Sequence, residues 1–184
     1  MSKVNWIDSQ SDNNLWETRP CAPQAAPPSF LRHQFRHSWT VDAPVETVWS
    51  WLNDPDTFTS GQVPPYRVEF ASADIDVPRG FQVGGLNMHH GPGLLASGTL
   101  VELVENSYRD LQYFYGSYIL SVRLVRPTRL QFWVEPKGAG TLVRVHFDTL
   151  VQGWFDLVWD VGCKSFWWMF SYWMRKALQS GRPR

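Results

Sequence analysis

Residues 153–180 read GWFDLVWDVGCKSFWWMFSYWMRKALQS and carry nine aromatic side chains between Trp154 and Trp173. At about 100° per residue, the helical repeat, Asp156, Asp160, Lys164, Ser171 and Arg175 fall on one narrow polar stripe. Almost everything else is apolar, which predicts a long C-terminal helix whose buried arc runs through Trp154, Val158, Trp159, Phe166, Met169, Phe170, Tyr172 and Trp173. Such an arc demands a broad, curved surface from the rest of the chain. The longest apolar run lies between Lys164 and Arg175 and is about half of the roughly 20 residues that a membrane span needs. No transmembrane segment is expected, and the helix is read as buried in protein or, as the second alternative, as lying on a membrane surface.

The chain has 184 residues, enough for one domain with a short extension. Seventeen basic and seventeen acidic residues cancel, and no basic cluster exceeds the Arg175–Lys176 pair. Nucleic acid is excluded as an expected partner, because backbone binding needs a basic footprint. Cys21 and Cys163 are too few for a disulfide framework, and the N-terminus lacks the apolar core of a signal peptide. These features predict a reduced, cytoplasmic protein. Residues 1–31 are an N-terminal Pro-rich extension that cannot build its own core. Its Trp6, Ile7, Leu15 and Trp16 leave docking and disorder both open. The domain proper is expected over residues 32–184.

Residues 33–42 alternate, with His33, Phe35, His37, Trp39 and Val41 on one face, and predict a half-buried strand. Asp42 is placed to cap a helix that begins near Pro44 and has Val45, Val48, Trp49 and Leu52 as its apolar stripe. A shorter helical turn is expected over residues 56–60. Strands are then predicted over 66–73, 80–88, 98–105, 110–125 (with a bend at Gly116), 129–135 and 141–151. Turn chemistry separates them, including Pro78-Arg79-Gly80, His90-Gly91-Pro92-Gly93 and Arg126-Pro127-Thr128. Short links between consecutive strands imply antiparallel pairing, and the fold class is α+β.

The segment FRHSWTVDAPVETVWSWLNDPDTF, residues 35–58, resembles the opening strand and helix pair of the Bet v 1-like superfamily, also called START-like or SRPBCC. GTLVELVE from Gly98, GAGTLVRVHFD from Gly138 and the aromatic C-terminal helix are similar to its later strands and last helix. The resemblance covers residues 33–180 and is to the polyketide cyclase/dehydrase and lipid-transport type. It implies a helix-grip fold: a seven-stranded curved antiparallel sheet around the long C-terminal helix, with two short helices between strands 1 and 2. It also implies a hydrophobic cavity for a lipid, quinone or polyketide-like molecule, with or without catalysis.

Catalysis would need convergent polar groups on inward faces. His37 shares a face with Phe35, Trp39 and Val41 and offers a neutral imidazole, whereas the bland reading is a satisfied core histidine. His89 and His90, next to Asn87, point to opposite faces of a strand, so a metal site from this pair is not expected, and one of them can guard a pocket mouth. The bland reading is a solvated hairpin turn. Tyr113 and Tyr115 share a strand face and can offer hydroxyls to an apolar ligand. Arg144, His146 and Asp148 are placed on the outer face as a solvated charge set. Gly162, inside the helix, is read as a kink or a close approach to strand backbone. The expected ligand-binding set is Phe35, His37, Trp39, Asn87, His89, Tyr113, Tyr115, Trp159, Phe166, Met169, Phe170 and Trp173. No metal and no cofactor are expected, and three functions stay open: a binding protein, a cyclase or dehydratase using His37 or His89, and an interaction protein using the tail.

Overall fold

Strand β1, Phe30–Val41, follows the apolar alternation, burying His33, Phe35, Trp39 and Val41 and exposing Arg32, Gln34, Arg36, Ser38 and Thr40. The computed structural model describes residues 25–59, 65–71 and 80–179. Trp6, Ile7, Leu15, Trp16, Cys21 and the Pro78-Arg79 part of a predicted turn lie outside them. β1 begins earlier than predicted because Phe30 and Leu31 already pair with Gln152 and Val151 of the last strand.

Helix α1, Val45–Asn53, buries Val45, Val48, Trp49, Trp51 and Leu52. Asp42 does not cap it; the N-cap is Pro44, at φ −59°, and Val48 N–H donates to the Pro44 carbonyl at 3.1 Å. Helix α2, Pro55–Thr59, is entered through Asp54, whose carboxylate accepts from the Asp56 amide (2.9 Å) and the Thr57 hydroxyl (3.1 Å). Local side-chain capping here substitutes for the missing first-turn partners.

The remaining strands are β2 (Arg67–Ala71), β3 (Leu86–Gly91), β4 (Leu94–Val104), β5 (Tyr108–Tyr113), β6 (Tyr118–Ile119), β7 (Val125–Lys137) and β8 (Gly140–Gln152). They form one antiparallel sheet in the order β1-β8-β7-β5-β4-β3-β2, with β6 off that path against β4 and β7. Among the described residues the count is therefore eight rather than seven. The long predicted strand 110–125 breaks at Gly116, whose φ of +97° suits a glycine turn, and Ser117 locks that turn by donating to the Ser97 carbonyl at 3.1 Å. Only two residues re-pair beyond it, as β6. The break also carries Tyr115 onto the turn, 76% exposed, so it does not share a face with buried Tyr113.

Two other predicted boundaries move. Residues 81–85 stay irregular, with Gly84 at φ +81°, so β3 starts at Leu86 and contains both His89 and His90 rather than ending before them. Pro127, read as a turn residue, lies within β7 at a register shift against β8 between Pro127 and Arg129. A bulge is where a strand tolerates a residue without an N–H.

A single 3-10 turn, Gly153–Phe155, leads into helix α3, Asp156–Gln179. Its buried residues are Trp159, Cys163, Trp167, Phe170, Ser171 and Met174. This corrects the predicted arc: Trp154, Val158 and Tyr172 are exposed, as are Leu157, Val161 and Trp168, whereas Trp167, absent from the predicted arc, is core. The charged stripe is not the outward face because it runs along edge strand β1. Asp160 approaches His33 at 3.5 Å, and Arg175 Nε donates to the Thr40 carbonyl at 3.2 Å. Outward instead points an apolar stripe from Trp154 to Tyr172. α3 runs unbroken through Gly162, where an added Cβ would meet only the Trp159 ring at 3.9 Å, so no strand backbone approaches it closely. Among the described residues, no helix is long and apolar enough to cross a membrane.

Candidate functional site

The inner face of the sheet and α3 do not meet everywhere. Between them lies a cavity of about 460 Å³, within the ordinary range for small-molecule sites. Val68, Ala96, Leu130, Phe132 and Phe147 wall it from the strands, Phe155 from the 3-10 turn, and Trp159, Cys163, Phe166, Trp167 and Phe170 from the helix. Aromatic rings hold those walls against one another: Trp167 lies edge-on to Phe132 (5.7 Å) and to Phe170 (5.3 Å). The Trp159 indole N–H donates to Thr149 Oγ1 at 2.9 Å, so that ring presents a satisfied, apolar surface. The mouth is formed by the β3–β4 turn at Pro92 and Gly93, by Leu120, and by Val158 and Gly162 of α3. Gly93 and Leu120 both adopt left-handed backbone (φ +68° and +66°), and the Leu120 amide donates to the Gly93 carbonyl. For leucine that conformation is strained, and here a tertiary hydrogen bond holds it.

Besides Tyr66 and Arg67 of its lining, three polar side chains enter this apolar space. Arg109, Leu111 and Tyr113 alternate on the inner face of β5, and His89 reaches in from β3. Arg109 is 2% exposed. Its Nη1 donates to the Leu52 carbonyl (2.6 Å) and to Asn53 Oδ1 (3.1 Å) at the C-terminus of α1, where the helix dipole favours a cation. Its guanidinium stacks 4.0 Å from the Phe81 ring centroid and 4.9 Å from that of Phe132. His89 and Tyr113 meet edge to face at 5.5 Å. His89 Nε2 is buried and has no hydrogen-bond partner among the described residues, and the same holds for both amide atoms of Asn87, two residues earlier on that strand.

Burial sets the charge states. It lowers the His89 pKa to about 3, with the Arg109 and His90 charges adding to the effect. It raises the Tyr113 pKa above the usual phenol range. Arg109 is pulled down to about 9 by the same desolvation and stays cationic at neutral pH. Cys163, pushed up to about 12 by burial, is an inert thiol. The niche is thus a neutral imidazole, a neutral phenol and one guanidinium at the wall of an apolar cavity, which is complementary to an electron-rich oxygen.

Of the residues anticipated from sequence, His89, Tyr113, Trp159, Phe166 and Phe170 come together on the cavity wall. Phe35, His37, Trp39, Asn87, Tyr115, Met169 and Trp173 do not line it. His37 stacks between Phe35 (6.3 Å) and Trp39 (5.6 Å), its pKa lowered by burial and by Arg175. His90 points away from His89 and lies 3.3 Å from Glu69. Sequence reasoning missed Arg109, because the predicted strand began one residue later and an arginine beside an Asn-Ser turn reads as solvated. Its alternation with Leu111 and Tyr113 was the available signal.

No protein-family model matches the chain, and no curated protein does. Solved structures do. Protein MLL2253 from Mesorhizobium loti superposes with a TM-score of 0.61 at 15% identity, covering 82% of this chain and 99% of that one. Ara h 8.0201 gives 0.57 at 14%, over 80% and 99%. DynU16, from the dynemicin biosynthetic locus, gives 0.55 at 17%, over 82% of this chain and 48% of its own, so the chain spans about half of DynU16. The chain has the Bet v 1-like helix-grip fold. At such identities the likeness establishes the fold, and the contents of this helix-grip cavity are argued from its own side chains.

Proposed function

We propose that this helix-grip protein binds, and carries, a hydrophobic small molecule with an aromatic or polycyclic body and one oxygen function: a lipid, quinone or polyketide-like compound. The observation that supports this most is the apolar cavity of about 460 Å³ with Arg109, Tyr113 and the unpartnered His89 Nε2 on its wall. The apolar walls take the body through desolvation. The niche takes a carbonyl, phenol or carboxylate oxygen, which supplies the partner that a buried polar atom otherwise lacks. Proton abstraction is the weaker reading, because an imidazole held near pKa 3 is a poor base at neutral pH.

The test is a competition between 2-naphthoate and naphthalene for displacement of an apolar fluorescent dye. Preference for the oxygenated compound by about tenfold or more is expected, since a site built to bind oxygen rejects an analogue lacking it. Arg109→Met should remove the preference and keep the dye. Equal displacement by both compounds, or a chain that takes up no dye, overturns the proposal.

A further inference from the structure

The face of α3 that points away from the sheet is apolar. Trp154, Leu157, Val158, Val161, Trp168 and Tyr172 recur along it at helical spacing and are 50–76% exposed. The helix packs against β1 and β8 through its other side, where Cys163, Trp167, Phe170 and Met174 are buried. By ordinary side-chain sizes the open apolar area is roughly 800 Å². The largest apolar patch on a typical monomer is about 300–600 Å², and a stable complex covers about 800 Å² on each partner. The stripe therefore has the size of half an interface.

Its layout is self-complementary. Val161 and Ser165 lie two residues either side of Cys163, Val158 and Trp168 five, and Trp154 and Tyr172 nine. Two antiparallel copies of α3, related by a two-fold axis at that level, set Val161 against the partner's Ser165, Val158 against the partner's Trp168, and Trp154 against the partner's Tyr172. Small residues meet at the centre, where the backbones come closest, and aromatic rings close both ends. Ser165, the polar residue of that centre, already donates its hydroxyl to the Val161 carbonyl at 2.9 Å, so covering it leaves no hydroxyl proton unpaired. A shallow depression bounded by Lys164, Trp168 and Met169 lies at Ser165 and admits the partner's Val161. Trp168 and Tyr172 stack at 6.4 Å, which orders both rings before contact.

We infer that a second copy of this chain packs on the outward stripe of α3, giving an antiparallel two-fold dimer. The partner's Trp168 then covers Val158 at the rim of the cavity mouth. Charge favours this occupant over a lipid surface. A helix that lies on a bilayer carries a Lys/Arg-rich polar face beside its apolar one. On α3, Lys164 is bonded to Asp160 at 2.5 Å, and Arg175 is turned to the Thr40 carbonyl of β1, so that flank carries balanced charge rather than a basic face. The pairing rests on the surface of α3 and not on what the cavity binds.

The experiment is sedimentation equilibrium of the full chain across a concentration series. Twice the chain mass is expected, with a Kd of about 1 μM or tighter. Val161→Glu and Trp168→Ser should each weaken association at least about tenfold, with far-ultraviolet dichroism unchanged. Geometry is read separately, and decides the matter where a substitution fails to fold. Chains carrying Val161→Cys, mixed with chains carrying Ser165→Cys and oxidised, should give a disulfide-linked dimer well above either chain alone and above the parent chain, whose Cys21 and Cys163 set the background. A chain that stays monomeric at about 100 μM overturns the inference, as does a dimer that neither substitution weakens or that cross-links no better in the mixture. Monomeric chain that co-sediments with phosphatidylcholine–phosphatidylglycerol vesicles, and no longer does so with Trp168→Ser, also overturns it and assigns the stripe to a bilayer.

Discussion

The two faces of the sheet hold their buried arginines in different ways. On the outer face, Arg129 pairs diagonally with Asp110 as a bidentate ion pair and Gln131 bonds Tyr108, while Gln131 Oε1 and both His146 ring nitrogens lack hydrogen-bond partners among the described residues. Charge there has met charge within the chain. On the inner face, Arg109 is held by carbonyl oxygens and aromatic rings, and His89 Nε2 and the Asn87 amide lack described partners. A buried polar atom without a partner costs about 1–3 kcal/mol, and both faces carry some, but only those of the inner face accompany a cavity. The outer pair is a neutralised ion pair within the sheet, and the inner guanidinium keeps its charge beside the cavity, which is the difference the proposed function relies on.

The comparison breaks most readily at its two arginines. Arg129→Met leaves the Asp110 carboxylate buried without its counter-ion and is expected to cost about 3–5 kcal/mol in urea unfolding. Arg109→Met loses two neutral-acceptor bonds but relieves a buried charge, and its cost should stay within about 1–2 kcal/mol. Equal losses would erase the distinction.

Acid tests the inner face through His89. The His89 pKa is depressed in the folded chain, from 6.5 to about 3, so below 6.5 the unfolded state binds the extra proton. Stability contributed by neutral His89 is complete above pH 6.5 and is lost as pH falls towards 3, by at most about 1.4 kcal/mol per pH unit. His89→Phe should flatten that slope in denaturation curves between pH 6.5 and 4; an unchanged slope assigns acid sensitivity elsewhere.

Gly162→Leu sharpens the same contrast with the smallest effect on stability. Leucine is the better helix former by roughly 1 kcal/mol, and nothing crowds its Cβ. Its side chain enters the cavity mouth, so dye affinity should fall about tenfold, or about 1.4 kcal/mol, at unchanged or higher melting temperature. Retained affinity would show that the mouth is not beside Gly162.

Much of this arrangement was legible beforehand. Period-two alternation marked β1 and the inner residues of β8, and the APVETVW segment marked α1, because burial on one face leaves a direct trace in residue order. The orientation of α3 was not legible. Its charges lie where the helix crosses edge strand β1, and partners on another element, His33 and Thr40, decided which side they occupy. Pro127 and the Gly116 break likewise depended on register with neighbouring strands.

By itself, then, the sequence determined an α+β chain with a curved antiparallel sheet and one long aromatic helix, since periodicity and turn chemistry are local properties. Only the tertiary structure decided that Trp167 walls the cavity while Trp168 points outward, that Arg109 belongs to the inner face, and that the His146 side of the sheet is buried. Those outcomes rest on which surfaces of distant segments remove one another from water, and that pairing is written in no single stretch of the chain.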